Sequence, residues 1–207
     1  MNAPIFPKHD PASPAFWNLR FDAAFTPWDQ GSVPQSLQTW ARAYRGVTAP
    51  SVLIPGCGSA WEVKFFLDMG WDVTAIDFSA AAVAQAQRAL GPLARHVHEA
   101  DFFAGELGHP NFEVIYERAF LCALPRRLWP QWAGRVAELV KPGGFLAGFF
   151  FADNSEKSER GPPFSLHQGE LEALLAPHFT RRQKHVPGDS VPVFIGKETW
   201  QVWERNA

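Results

Sequence analysis

From Ser51 to Ala152 the chain alternates short β runs with stretches of helical period, a pattern that points to a parallel sheet covered by helices on both faces. Strands buried on both sides read as unbroken apolar runs because neither face meets water. SVLIP at 51–55 is the first, and it stops at the turn Gly56-Cys57-Gly58-Ser59. AWEVKFFLDMG follows as a helix closed by Gly70, then WDVTAIDFS as a strand ending at Asp77. Ser79 is placed to cap AAAVAQAQRALG, which Gly91-Pro92 stops. HVHEADFF, ending near Asp101, and FEVIYE are the third and fourth strands. A helix over roughly 128–140, a KPGG turn and the buried strand FLAGFFFA come next. A helix near 167–175 and two β segments, HFTRRQKHV and PVFIGKETWQVW, complete a doubly wound, mostly parallel α/β sheet.

The first 50 residues stand outside this alternation. They are rich in Pro and aromatic residues and show no sustained period until Pro34, after which Leu37, Trp40, Ala41 and Tyr44 share one helical face. A length of 207 residues suits one core, so the expectation is a single domain over 1–207, with an arm and one helix in 1–50 and the sheet in 51–207. Nineteen Lys and Arg against 21 Asp and Glu give a net charge of −2, which leaves no long-range positive field to gather nucleic acid or an anionic membrane. The longest apolar run, near 144–152, falls well short of the roughly 20 residues a membrane helix needs. Only Cys57 and Cys122 occur, and no secretory leader is evident, so a cytoplasmic protein is expected. Composition leaves the oligomeric state open, a monomer included.

In a doubly wound sheet, ligands lie beyond the carboxyl ends of the strands. Three such ends carry informative residues. Gly56 and Gly58 leave the first turn without side chains, so backbone can approach a ligand. Asp77 stands 21 positions after Gly56, where a carboxylate can take both hydroxyls of a ribose. At Asp101-Phe102 a carboxylate can accept from an exocyclic amine while a ring packs on a base. The plainer roles are an ordinary tight turn and a helix cap. A dinucleotide would use the same turn, but Trp61 stands where its third glycine belongs. S-adenosylmethionine carries no phosphate and makes no such demand.

Eight segments together resemble the thiopurine S-methyltransferase-like branch of class I S-adenosylmethionine-dependent methyltransferases, which also includes thiol, thiocyanate and halide methyltransferases. They are FWNLRF at 16–21, TPWDQG with VP at 26–34, VLIPGCG at 52–58, AIDFS at 75–79, ADFF at 100–103, IYERAFLCALP at 115–125, KPGG at 141–144 and GPPF at 161–164. The resemblance implies a Rossmann-like fold and S-adenosyl-L-methionine as methyl donor. It makes Trp17, Phe21 and Trp28 a lid over the donor, and Gly56, Asp77, Asp101, Phe102 and Arg118 donor contacts, with Gly58 and Phe78 beside them. Rings suit a sulfonium, which is attracted to their faces by about 0.5–2 kcal/mol. On this reading Arg118 reaches both donor and acceptor. By position, Glu117 before it is the candidate base or else a partner for Arg118, no base being required, and Phe164 with Pro162-Pro163 is either a wall of the acceptor pocket or part of a surface loop.

The implied reaction is an in-line displacement onto a small soft nucleophile, a thiol or other sulfur compound. Two departures keep the acceptor open: Gly56 stands where thiopurine enzymes tend to have Leu, and AFLCALP is closer to thiol and halide members. Halide, thiocyanate or metalloid methylation is the alternative activity, and a non-catalytic donor-binding module is the alternative of another class. His96 and His98 lack a third ligand at convincing spacing, so no metal is expected. Cys57 and Cys122 read as small buried side chains, and the polar loop at 153–165 as a surface loop or a cover for the acceptor pocket.

Overall fold

The computed structural model describes residues 4–105, 107, 111–153 and 161–207. Seven strands form one sheet in the order β3-β2-β1-β4-β5-β7-β6. They are β1 (Ser51–Pro55), β2 (Asp72–Asp77), β3 (Val97–Glu99), β4 (Phe112–Arg118), β5 (Val140–Phe151), β6 (Phe179–His185) and β7 (Glu198–Arg205). The first five run parallel, while β7 enters antiparallel between β5 and β6. Around them stand α1 (Pro14–Asp22), α2 (Gln35–Ala43), α3 (Trp61–Asp68), α4 (Ala80–Leu90), α5 (Trp129–Leu139) and α6 (Glu170–Leu175). The doubly wound, mostly parallel α/β sheet is therefore present.

Alternation along the strands assigns their side chains to two cores. Leu53, Ile115 and Leu146 point to one face, where Trp129, Trp132 and Val136 of α5 and Leu171 and Leu175 of α6 cover them. Val52, Ile54, Val114, Tyr116 and Phe149 point to the other, beneath α2, α3 and α4 through Trp40, Phe66 and Val83. Trp40 packs at 6.3 Å from Trp71 and 6.2 Å from Trp200, so the rings of this aromatic-rich chain fill a core as well as lining a cavity.

Several sequence expectations need correction. The arm is helical over Pro14–Asp22. Pro14 opens this helix at its first position, where a missing N–H costs nothing, and the Ala23 and Ala24 N–H groups close it on the Leu19 and Phe21 carbonyls. The helix escapes notice in the sequence because its apolar residues do not gather on one stripe; Phe16 and Phe21 are buried, while Trp17 and Arg20 are half-buried. The third strand ends at Glu99, so Asp101 and Phe102 lie in the turn beyond it. Gly91 ends α4 with φ 54°, but the chain continues as a 3-10 turn to His96. KPGG lies within β5 as an irregular stretch where the β4 pairing slips, and 192–197 are turns, so the last strand begins only at Glu198.

Ser79 caps α4 as expected: its Oγ accepts from the Ala82 N–H at 3.2 Å and donates to Asn18 Oδ1 of α1 at 2.7 Å. Ser79→Ala is expected to lower unfolding free energy by about 1–2 kcal/mol, since it removes both a cap and the tie to the arm. Urea denaturation checks this, and an unchanged midpoint would discount the cap.

Candidate active site

The carboxyl ends of β1, β2 and β4 open into one cavity of about 510 Å³. Its wall brings together Gly56, Gly58, Asp77, Phe78, Asp101, Phe102 and Arg118 with Trp17, Phe21 and Trp28 of the arm. Two residues singled out in the sequence stand elsewhere. Glu117 is 1% exposed and lies behind the wall, as strand alternation requires of the neighbour of Arg118. Phe164 packs on the core cluster beneath α5, its N–H donating to the Cys122 carbonyl at 2.7 Å, and Pro162 and Pro163 line the cavity in its place. Of the polar loop at 153–165, considered as a cover for the acceptor pocket, residues 154–160 lie outside the described residues.

The glycine turn is backbone against carboxylate. Asp77 Oδ2 accepts from the Gly58 N–H at 3.1 Å, and Oδ1 accepts from the Ser79 N–H at 2.9 Å. Burial pushes its carboxyl up to about 6, against these bonds, which favour the charged form. The helix cap falls to Ser79, which leaves Asp77 holding the turn and facing the cavity. Gly56 has φ 58° and no room for a side chain, because a Cβ there would lie 2.5 Å from Phe120 Cδ2.

The arm roofs this turn. Trp28 meets Trp17 edge-on at 5.5 Å and Phe21 at 6.1 Å. Asn18 Oδ1 ties α1 to the start of α4, accepting from Ser79 Oγ and from the Ala81 N–H at 3.2 Å. The Asp29 carboxylate accepts from Ser59 Oγ and from Trp61 Nε1, the latter at 2.7 Å. It thereby sets a negative charge beside the start of α3, where a dinucleotide would seat its pyrophosphate.

At the far end stands Arg118. Its Nη1 donates to both oxygens of Glu198, at 3.2 and 3.0 Å, and its Nη2 to Gln30 Oε1 at 3.0 Å. The guanidinium lies 4.3 Å from the Phe149 ring centroid. Burial opposes its charge, but Tyr116, Glu198 and Glu62 outweigh that and raise its pKa. Behind it, Glu117 Oε1 accepts from the Phe120 and Leu121 N–H groups at 2.8 and 3.2 Å, holding the turn after β4. Burial pushes this carboxyl up to about 7.

Asn18, Asp29, Gln30 and Glu198 join the site without having been singled out in the sequence. Asp29 and Gln30 lie inside TPWDQG, and polar residues directly after Trp28 were the available signal. Glu198 carried none, because its partner is 80 positions away. Burial also pushes the Cys57 and Cys122 thiols well up, which disfavours the nucleophilic thiolate. His96 Nδ1 lies 3.1 Å from the Val73 carbonyl. No group of His, Cys, Asp or Glu suited to a metal occurs among the described residues.

Residues 12–206 match the sequence profile of the family described as Thiopurine S-methyltransferase. The chain belongs to the thiopurine S-methyltransferase family. Membership makes it a methyltransferase whose methyl donor is S-adenosylmethionine. This family member is 28% identical to probable thiol methyltransferase 2 of Arabidopsis thaliana, over 78% of this chain and 71% of that one. It is 26% identical to thiocyanate methyltransferase 1 of the same plant, over 91% and 84%. Its fold is similar to that of Burkholderia thailandensis 1,6-didemethyltoxoflavin-N1-methyltransferase, with a TM-score of 0.72 at 18% identity over 100% of this chain and 94% of that one. No described helix is long and apolar enough to cross a membrane.

Proposed function

We propose that this family member transfers a methyl group from S-adenosylmethionine to a small thiol, with Trp17, Phe21, Trp28, Gly56, Gly58, Asp77, Phe78, Asp101 and Phe102 on the donor side and Arg118 at the acceptor end. The observation that carries the reading is the cavity itself: a side-chain-free turn held by the buried Asp77, an aromatic roof and an arginine all border one space. The residues fit the donor. Asp77 retains carboxylate lone pairs for ribose hydroxyls, and the rings of the arm suit a sulfonium. Asp29 disfavours a pyrophosphate at the same turn.

The bound donor supplies an electrophilic methyl carbon. The protein's part is to position the acceptor and keep water out, which Trp28, Pro162, Pro163 and Phe194 do by bordering the cavity with apolar surface. A thiol near its ordinary pKa of about 8.5 is partly ionised at neutral pH and needs little help from a base. Glu117 therefore serves to hold the turn that carries Phe120, in place of the base role considered for it, and Phe164 supports the wall from behind. Glu198 offsets the charge of Arg118, so the acceptor end does not present an unpaired cation to small inorganic anions.

Part of the same proposal is that residues 1–207 act as one unit, with 1–50 as lid and helix, working on small molecules in the cytoplasm; both cysteines are free and buried. The test is S-adenosylhomocysteine formation with aromatic and aliphatic thiols, thiopurines, sulfide, thiocyanate, iodide and selenium or tellurium oxyanions against a no-acceptor blank. Turnover confined to thiols, thiopurines and sulfide is expected. Turnover only with thiocyanate, halides or oxyanions sinks the thiol assignment, and silence from folded protein favours a donor-binding module.

A further inference from the structure

We propose that the adjacent side chains of Asp29 and Gln30 form a two-ended clamp, Asp29 setting donor affinity and Gln30 setting acceptor turnover by positioning Arg118. The inference rests on the methyl-transfer reading above. Asp29 reaches the donor side: its carboxylate accepts from Ser59, directly after the glycine turn, and from Trp61 at the start of α3. It also accepts from the Gly31 N–H at 2.8 Å, which fixes its own backbone. Gln30 reaches the opposite wall. Its Oε1 accepts from Arg118 Nη2 at 3.0 Å, while its Nε2 donates to the Asp189 carbonyl at 2.8 Å and to Asp189 Oδ2 at 3.3 Å. Asp189 is itself held, accepting from the Gln35 N–H at 2.7 Å.

The chemistry of the two ends differs. Asp29 bonds groups that shape the donor turn, so its loss loosens the roof without touching the arginine. Gln30 is an amide whose oxygen and nitrogen are both engaged, and its oxygen fixes one edge of a guanidinium whose other edge Glu198 holds. Hydrogen bonds to charged groups are the stronger kind, so each loss should be measurable. Asp29, Gln30 and Arg118 are half-buried, which leaves these bonds only partly screened by water.

Asp29→Ala should weaken S-adenosylhomocysteine binding by about tenfold in calorimetry and raise KM for the donor in proportion, a larger loss than in kcat/KM for the thiol at saturating donor. Gln30→Met should do the reverse: donor-product affinity within about threefold, and kcat/KM for the thiol down by about tenfold. Nitrogen-15 spectra of the Arg118 side chain, assigned by their loss in Arg118→Lys, should shift in Gln30→Met and stay in place in Asp29→Ala. Equal effects of both variants on both parameters, or an unmoved Arg118 signal in Gln30→Met, overturns the clamp. A wild-type protein that methylates no thiol overturns the proposed activity instead, and the clamp is then decided by the binding constants and the Arg118 signal.

Discussion

Gly56→Val is expected to reduce S-adenosylhomocysteine affinity by about 100-fold or more, the larger of two effects at the glycine turn. Residue 56 has φ 58°, a conformation that costs an L-residue about 1–2 kcal/mol and a β-branched one more. Its Cβ would also fall 2.5 Å from Phe120 Cδ2. Phe120 has little room to retreat, since it packs edge-on against the buried Phe102 at 5.2 Å. Relief therefore moves either the turn or the ring, and both border the cavity proposed to hold the donor. Gly58 is a useful contrast. There a Cβ would meet Phe21 Cζ at 3.4 Å, which is tolerable contact, so Gly58→Ala should suffer mainly from its φ of 49°. Calorimetric titration of both variants decides it: binding by Gly56→Val within a few-fold of wild type would show that the turn is not part of the donor site.

Stability is expected to fall as pH rises from 5 to 8, opposite to the trend of a protein whose carboxylates are all stabilised by cations. Asp77 rises from 3.8 to about 6 and Glu117 from 4.5 to about 7, in both cases through burial. A carboxyl with a raised folded pKa holds its proton more tightly in the native state than in the unfolded chain. The native state is thus penalised as pH climbs through the window between the two values, and the penalty persists above it. Each group contributes roughly 3 kcal/mol at most on this linkage. Glu113, lowered to about 2 against its burial by Lys141 and Ser51, acts in the opposite sense but only at acid pH, below 4.5. Urea midpoints of protein without donor, taken from pH 5 to 8, measure the slope. Glu117→Gln should flatten its upper half, because an amide oxygen can still accept from Phe120 and Leu121 but does not ionise. If that variant keeps the wild-type slope, Glu117 does not titrate in this range.

Most of the sheet was legible because local signals specified it. Burial on both faces makes β1 read as SVLIP, and a serine before an alanine-rich run marks the start of α4. The glycine-turn side of the cavity was legible for a related reason: Asp77 ends a strand and Gly56, Gly58 and Phe102 follow strands closely in sequence, so locating the strand ends locates the residues. Helix α1 was not legible, since its rings form the roof of a cavity instead of lying along one stripe against the sheet. Phe164 illustrates the same limit: sequence places it beside Pro162 and Pro163, and only packing shows that the prolines face the cavity while the ring turns inward.

The doubly wound order of strands and helices, the glycine turn and the carboxylate that ends β2 could all be read from the chain, because each depends on residues close together along it. That Glu117 lies behind the wall, that Arg118 is paired with Glu198 and that Gln30 joins them emerged from the folded arrangement. The contacts of Arg118 and Gln30 unite segments 80 to 159 positions apart, and no local propensity or spacing encodes which buried charge meets which partner across such distances.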